Sequence, residues 1–130
     1  MKVLLIEDHA VDRKLAGAVL RTDGHSVQGG SSAQEAVAAV RHDPLDVILL
    51  DLRLPGMDGL ALAKQFKSDP TTRGIPIVVV TAYPERYPRQ RLLDAGCEAW
   101  IVKPVDTRVL SKQLEQAVGG VSQPIDGERS

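Results

Sequence analysis

This sequence of 130 residues has few aromatic residues, a single cysteine and almost no net charge. Aromatic residues make up 3% of the chain, so its hydrophobic core must consist mainly of Val, Leu, Ile and Ala. Cys97 has no second cysteine with which to form an internal disulfide, and this fits a reducing compartment. The net charge of -1 argues against a nucleic-acid-binding surface, because such surfaces usually carry a basic excess.

Long apolar runs are also missing from the chain. No run approaches the ~20 residues that a membrane-spanning helix needs. The first residues, Met-Lys-Val-Leu-Leu-Ile-Glu-Asp, do not have the length of a secretory signal. We therefore expect a cytoplasmic protein that binds neither a membrane nor nucleic acid.

Short apolar runs alternate with amphipathic segments. The runs at 3–6, 47–50, 77–80 and 99–102 have the length and composition of buried parallel strands. A weaker, more polar run at 26–29 suits the edge of a sheet. This alternation predicts an α/β fold, a doubly wound five-stranded parallel sheet of order 2-1-3-4-5 with five helices. We expect one domain over residues 1–118, followed by a flexible tail or linker over 119–130.

Periodic apolar residues and capping signals predict where the helices start and which side they bury. The first helix should begin near Val11 and bury a stripe that continues through Leu15, Ala18 and Val19. Ser32 and Glu35 form the pattern of a capping box that opens the second helix.

The later helices carry their own start signals. Asp58 is a candidate N-cap for the third helix, and Pro88 fits the first helical position of the fourth. The last helix is predicted over about 106–118, with Leu110, Leu114 and Val118 facing inward.

Polar side chains follow four of the predicted strands at the point where each strand ends. Glu7 and Asp8 follow the first strand, Asp51 ends the third, and Thr81 and Lys103 follow the fourth and fifth. Parallel strands present their carboxyl ends at one edge, so these side chains should meet there. Clustered carboxylates repel each other and favour a bound Mg²⁺. With Lys103 supplying a further positive charge, Asp51 could accept a phosphoryl group.

These residues, together with the stretch Asp-Leu-Arg-Leu-Pro-Gly-Met-Asp-Gly from Asp51, resemble the receiver domains of two-component response regulators. The resemblance covers about residues 2 to 118 and suggests a single-domain regulator of the chemotaxis or cell-division type. It implies the flavodoxin-like fold and a phosphoacceptor, not a conventional enzyme: only phosphotransfer to Asp51 and loss of the phosphoryl group would be self-catalysed. A sensor histidine kinase or a histidine phosphotransfer protein would supply the phosphoryl group.

The resemblance also implies roles for individual residues. Glu7, Asp8, Asp51 and the backbone carbonyl of Arg53 would hold Mg²⁺. Thr81, Ala82 and Lys103 would contact the phosphoryl group. Thr81 would report to a switch residue at Trp100, where the family more often has Tyr or Phe, and an output protein would bind the face formed by the fourth helix, fifth strand and fifth helix.

Two points stay open on the residues alone. Arg53 and Tyr83, two residues past Asp51 and Thr81, either flank the site or are exposed loop side chains. The chain is either a stand-alone receiver or a receiver module from a larger response regulator or hybrid histidine kinase.

Three other functions fit the sequence less well. A haloacid-dehalogenase-type phosphatase needs Asp-x-Asp, whereas this chain has Asp51-Leu52-Arg53. A flavodoxin-type electron carrier needs a hydroxyl-rich phosphate loop and aromatic residues around the flavin. A dinucleotide enzyme needs Gly-x-Gly-x-x-Gly after a strand, and the sequence contains none.

Overall fold

Five parallel strands form the central sheet of the computed structural model, which describes residues 1–41, 44–54 and 56–119. The strands are β1 (Lys2–Ile6), β2 (Ser26–Gly30), β3 (Val47–Asp51), β4 (Ile77–Thr81) and β5 (Ala99–Val102). They are arranged in the order 2-1-3-4-5, with every neighbouring pair parallel. The predicted fold class and strand order are therefore confirmed.

Five α-helices connect and follow the strands within the described residues. They are α1 (Ala10–Thr22), α2 (Ala33–Ala39), α3 (Gly59–Ser68), α4 (Arg89–Asp94) and α5 (Leu110–Val118). A single 3-10 turn, Pro84–Arg86, precedes α4. Every helix in the described part of the chain is too short or too polar to cross a lipid bilayer.

The strands bury side chains on both faces of the sheet, as strands of a doubly wound sheet do. Ile6, Leu50 and Val79 alternate toward a cluster that also contains residues of α2, α3 and α4. Leu5 and Leu49 point to the other side, into a cluster with residues of α1 and α5. Two apolar layers therefore fix the sheet, and the polar residues at the strand ends stand at its edge.

Helix α1 buries a different side from the predicted one. Val11 is 68% exposed and Leu15 is 54% exposed, whereas Gly17 and Leu20 are buried. Ala18 is also exposed, and Val19 is only half-buried. The side of the helix with Gly17 faces Leu5 of β1, and Leu20 packs in the same cluster as Leu5. The predicted stripe was therefore wrong for Val11, Leu15 and Ala18.

Two of the three predicted helix-start signals agree with the structure, and one differs. The Ser32 hydroxyl accepts from the Glu35 N–H at 3.2 Å, and Asp58 accepts from the Leu60 N–H at 3.0 Å. Pro88 is the N-cap of α4 and not its first helical residue, which is Arg89. A separate 3-10 turn that starts at Pro84 precedes it.

The last helix also starts later than predicted. Helix α5 begins at Leu110 instead of about 106, since residues 107–109 form turns. Its inner side carries Leu110 and Leu114, but Val118 is 38% exposed and was wrongly assigned to the core. Most of the predicted tail, residues 120–130, lies outside the described residues, so the domain boundary remains a prediction.

Candidate functional site

The carboxyl ends of β1 and β3 bring three carboxylates together, as the sequence predicts. Glu7, Asp8 and Asp51 each offer an oxygen atom, and these atoms lie within 4.8 Å of one another. Glu7 is 6% exposed and Asp51 is 4% exposed, whereas Asp8 faces solvent. The group is a candidate metal centre because carboxylate oxygens are the ligands that Mg²⁺ prefers.

Backbone hydrogen bonds of the sheet continue past the strand ends and fix this group in place. The Glu7 N–H donates to the Gly30 carbonyl at 3.0 Å, and the Leu52 N–H donates to the Val80 carbonyl at 3.0 Å. On the far side, the Lys103 N–H donates to the Thr81 carbonyl at 2.8 Å. The site residues are thus held by the sheet itself and not by free loops.

Lys103 reaches across from β5 into the acidic group. Its Nζ donates to Asp51 Oδ2 at 2.7 Å and to Glu7 Oε1 at 3.1 Å. Asp12 Oδ2, in the first turn of α1, lies 3.9 Å from the same nitrogen. The Lys103–Pro104 peptide bond is cis.

The electrostatics of the site show an excess of negative charge. Burial, together with the hydrogen bond and charge of Asp51, raises the pKa of Glu7 to about 7. Burial alone would lower the pKa of Lys103, but hydrogen bonds and charges from Asp51 and Glu7 outweigh it and raise this pKa. One lysine thus faces more carboxylate charge than it can balance, and an added cation would be stabilised here.

Thr81 ends β4 beside this group. It is 2% exposed, and its hydroxyl oxygen accepts from the Tyr83 N–H at 2.9 Å, while Ala82 between them is exposed. Trp100 pairs with Val79 in the sheet register, and Thr81 pairs with Val102. Because side chains alternate along strands, Thr81 and Trp100 face the same side of the sheet. Trp100 is 8% exposed and packs in the cluster on that side.

Arg53 and Tyr83 meet at the edge of the site. The Arg53 N–H donates to Asp51 Oδ1 at 2.8 Å, and the Arg53 guanidinium carbon lies 5.2 Å from the centre of the Tyr83 ring. The Arg86 guanidinium carbon lies 5.0 Å from the same ring centre. The loops after β3 and β4 are therefore joined by side chains next to Asp51.

The loop after Asp51 contains more regular backbone structure than a simple turn. Arg53–Leu54 and Met57–Asp58 form a two-residue antiparallel pair, with Gly56 at a φ of 72°. A β-carbon on Gly59 would lie 2.6 Å from the Leu52 α-carbon, so only glycine fits where α3 begins. These contacts position the Asp51 loop, and the sequence interpretation missed the pairing.

Two charged residues near the site were also missed. Asp12 lies five residues after Glu7 at the start of a helix, a position that brings it back to the same sheet edge and could have identified it. Arg86 contacts Tyr83 only because Pro84–Arg86 form a 3-10 turn, and no sequence pattern signals that contact.

A cavity of about 450 Å³ opens beside Lys103, between α1 and the connection from β5 to α5. Its floor consists of strand side chains that face α1 and α5, and the exposed Leu15 lines it. The lining as a whole is mostly apolar and includes Leu5, Leu49, Val80, Val105 and Leu110.

A class of phosphoacceptor signalling modules shares a parallel sheet of this order. Its members have acidic residues after β1, an aspartate that ends β3 and a lysine after β5. The family model "Response regulator receiver domain" matches residues 3–115. The chain therefore belongs to the receiver-domain family of two-component response regulators. Members of this family interact with histidine kinases and with output proteins, and they are signalling proteins, not conventional enzymes.

The chain is similar in sequence to proteins of about its own length and to much longer proteins. The chain is 31% identical over 117 residues to the polar-differentiation response regulator DivK of Brucella ovis, covering 90% of this chain and 95% of DivK. It is 35% identical over 109 residues to the response regulator PleD of Caulobacter vibrioides, covering 84% of this chain. A gliding motility regulatory protein of Myxococcus xanthus is 32% identical over 117 residues, 89% of this chain. The match spans only 24% of PleD and 15% of the Myxococcus protein.

Solved structures show the same fold. The receiver domain of the sensor histidine kinase PA1611 from Pseudomonas aeruginosa, which has a magnesium ion in its active-site cleft, aligns with a TM-score of 0.82 at 30% identity. That alignment covers 91% of this chain and 97% of the PA1611 domain. The chemotaxis response regulator CheY4 of Vibrio cholerae aligns with a TM-score of 0.81 at 28% identity, covering 89% and 97% of the two chains.

Proposed function

We propose that Asp51 is the residue that accepts the phosphoryl group, and that it does so from a phosphohistidine of a sensor kinase or phosphotransfer protein. The observation that carries this proposal is the pair of contacts made by Lys103, at 2.7 Å to Asp51 and 3.1 Å to Glu7. Asp51 thereby contacts a positive charge and lies beside two further carboxylates. Glu7 is also buried and contacts Lys103, but Asp51 makes the shorter contact and is itself the last residue of its strand.

The proposed reaction needs little covalent chemistry from the protein. An Asp51 carboxylate oxygen attacks phosphorus, the phosphorus–nitrogen bond of the donor breaks, and the histidine leaves with its electron pair. Lys103 would offset the charge on the phosphoryl oxygens, and the Thr81 hydroxyl and the Ala82 N–H would donate to them. The transfer is self-catalysed, because the acceptor domain supplies these groups itself.

Mg²⁺ fits the donor set of this site. Glu7, Asp8, Asp51 and the backbone carbonyl of Arg53 would hold the ion, and all four are oxygen donors of the kind it prefers. When bound, Mg²⁺ supplies positive charge against the carboxylates and the incoming phosphoryl group. Burial, together with the hydrogen bond and charge of Asp51, raises the pKa of Glu7 and disfavours its bare carboxylate, and a cation bound here would offset that cost.

The phosphodonor is proposed to approach over α1. Val11 and Leu15 are exposed on its first turns, and Leu15 lines the cavity beside Lys103. A partner that covers these apolar side chains would gain the free energy of their burial and would face the open edge of the site.

The signal is proposed to leave through the face formed by α4, β5 and α5. The Thr81 hydroxyl would turn from the Tyr83 N–H toward the phosphoryl group, and Trp100, on the same side of the sheet, would move with it. A phosphoryl group shifts such an equilibrium only through contacts that differ between its two states. An output protein would then bind the altered face.

Intact mass spectrometry tests the assignment of Asp51. With acetyl phosphate and Mg²⁺, the wild-type chain should gain one phosphoryl group, and Asp51→Asn should gain none. Asp46→Asn is a matched control at the opposite edge of the sheet, where Asp46 accepts from the Lys2 N–H at 2.7 Å. Labelling of Asp51→Asn to the wild-type extent would overturn the proposal.

The same domain suits two contexts. The alignments with DivK and CheY4 span almost the whole of those chains, which favours a stand-alone regulator. The alignments with PleD and the Myxococcus protein span a minor part of each, which favours a module of a larger regulator or kinase. Mass spectrometry of the protein isolated from its source would separate the two contexts.

A further inference from the structure

We propose that Arg86 is a positioning residue that sets the lifetime of the phosphoryl group by holding Tyr83 over the edge of the site. This inference rests on the proposed phosphorylation of Asp51. It starts from the two guanidinium groups that lie over one ring, Arg53 at 5.2 Å and Arg86 at 5.0 Å from its centre. We call Arg53, Tyr83 and Arg86 the cap.

The cap is attached to the site at two points. The Arg53 N–H donates to Asp51 Oδ1 at 2.8 Å, and the Tyr83 N–H donates to Thr81 Oγ1 at 2.9 Å. Asp51 and Val80 are paired in adjacent strands, so the two loops leave the sheet side by side. Contact between Arg53 and the Tyr83 ring therefore bridges the loops next to the acceptor carboxylate.

Arg86 contacts the ring from within the loop after β4, and the Arg86 backbone is itself held by a hydrogen bond. Arg91 Nη1 donates to the Arg86 carbonyl at 3.0 Å, and Arg91 Nη2 lies 3.8 Å from Asp58 Oδ2 at the N-cap of α3. The 3-10 turn that carries Arg86 is thus tied to α4 and to the start of α3. The Tyr83 side chain is 36% exposed, so apolar packing covers only part of its ring. The two arginines supply the further contacts that hold the ring in place.

Hydrolysis of the aspartyl phosphate needs a water molecule on the open side of phosphorus. The water oxygen bonds to phosphorus, the bond between phosphorus and the Asp51 oxygen breaks, and inorganic phosphate leaves with the water's protons. A ring held over this edge hinders the approach of that water. Loss of Arg86 should free the ring and shorten the lifetime of the phosphoryl group.

The test is a set of decay rates after phosphorylation with acetyl phosphate and Mg²⁺ and removal of the donor. Arg86→Ala should lose its phosphoryl group about two- to fivefold faster than wild type, the range expected for one exposed cation–π contact. Arg89→Ala is the matched control, an exposed arginine three residues on whose side chain makes no ring contact within the described residues. Its decay rate should equal that of wild type.

A double-mutant comparison separates positioning of Tyr83 from a general loss of structure. Arg86→Ala should have no further effect in a Tyr83→Ala background, and Tyr83→Phe, which keeps the ring, should decay like wild type. The inference is overturned if Arg86→Ala decays at the wild-type rate, or if its effect is unchanged without the Tyr83 ring. Absence of any phosphoryl group on the wild-type chain would instead refute the proposed function.

Discussion

The two ends of the parallel strands differ in their charges, as two lysines show. Lys67 lies near the start of the strands and Lys103 at their carboxyl ends, which form the carboxyl edge. Lys67 Nζ, near the start of β4, donates to Glu98 Oε2 at 3.1 Å and to the carbonyls of Arg73 at 3.2 Å and Ile75 at 3.0 Å. Glu98 Oε1 in turn accepts from the Ile77 N–H at 2.8 Å. One lysine here meets one carboxylate, and the remaining hydrogen bonds go to backbone groups.

Lys103 at the carboxyl edge is in the opposite situation. It contacts Glu7 and Asp51 directly and has Asp12 at 3.9 Å, while Asp8 belongs to the same carboxylate group. The side chains of Lys67 and Lys103 are buried to a similar degree, with 18% and 23% exposed. The difference therefore lies in charge balance and not in burial. The network around Lys67 is complete, whereas the network around Lys103 is completed only by binding a cation or a proton.

The largest expected effect comes from removing each lysine. Lys67→Met removes the positive charge that pairs with Glu98, and Lys103→Met removes the one that pairs with Glu7 and Asp51. Each variant should lose about 3 kcal/mol of the free energy of unfolding. Saturating Mg²⁺ should restore much of the loss in Lys103→Met, because the ion replaces the missing charge, and none in Lys67→Met. Urea unfolding with and without Mg²⁺ measures both. Equal rescue of the two variants would contradict the proposed difference between the edges.

The pH dependence of stability should expose Glu7. Its pKa in the folded chain is about 7, above the ordinary value of 4.5, so the folded chain binds more protons than the unfolded chain between these values. The stability due to protonated Glu7 is complete below about pH 4.5 and is lost as the pH rises to about 7, by at most ~1.4 kcal/mol per pH unit.

Urea unfolding in EDTA at several pH values checks this slope. Glu7→Gln should remove the contribution, and Glu98→Gln, at the balanced edge, should retain it. A wild-type slope in Glu7→Gln would mean that another group carries the proton.

Binding of Mg²⁺ should stabilise the wild-type chain by about 2.7 kcal/mol at a concentration one hundred times Kd. Asp8→Asn should lose most of this gain and should be more stable than wild type without metal, because one repelling charge is gone. Thermal melting with and without Mg²⁺ measures both quantities. Glu98→Gln should keep the full Mg²⁺ gain. A full gain in Asp8→Asn would locate the ion elsewhere.

The smallest effect concerns communication away from the carboxyl edge. Coupling between the phosphoryl group and the α4–β5–α5 face should amount to about 1–3 kcal/mol, a partial bias between two states. Trp100 is the one tryptophan in the sequence, so its fluorescence emission should change when a phosphoryl mimic and Mg²⁺ are added. Thr81→Ala should reduce that change while Asp51 can still be phosphorylated. Unchanged emission on full phosphorylation would make Trp100 a packing residue only.

The strands and the residues of the acidic site were predictable from the sequence for one reason. In a parallel sheet the residue after each apolar run comes to the same edge, so Glu7, Asp51 and Lys103 could be brought together without knowing any helix position. The carboxylates and the lysine that contacts them did not depend on the exact bounds of the helices.

The side of α1 that faces the core could not be predicted with the same rule. Leu15 and Leu20 lie on different sides of one helix, and both sides carry apolar residues. Packing of the side with Gly17 and Leu20 against the sheet decides between them, and that packing is a property of the folded structure. The hydrophobic pattern alone favoured the wrong side.

The cap was only partly visible in the sequence. Arg53 and Tyr83 could be suspected from their spacing to Asp51 and Thr81, but Arg86 depends on the 3-10 turn that follows Pro84. Three-residue turns have no periodic signal, since they span no more than one turn of a helix and no residue pattern repeats within them. Contacts made by such turns have to be read from the structure.

Chemical mapping of the phosphoryl group tests the carboxyl edge most directly. The chain is phosphorylated with acetyl phosphate and Mg²⁺, reduced with borohydride, which converts an aspartyl phosphate to homoserine, and digested for peptide sequencing. Homoserine should appear at position 51 and at no other aspartate, and its yield should fall when Mg²⁺ is removed with EDTA. Homoserine at Asp8, Asp12 or Asp58, with Asp51 intact, would contradict the assignment of this edge as the phosphoacceptor site.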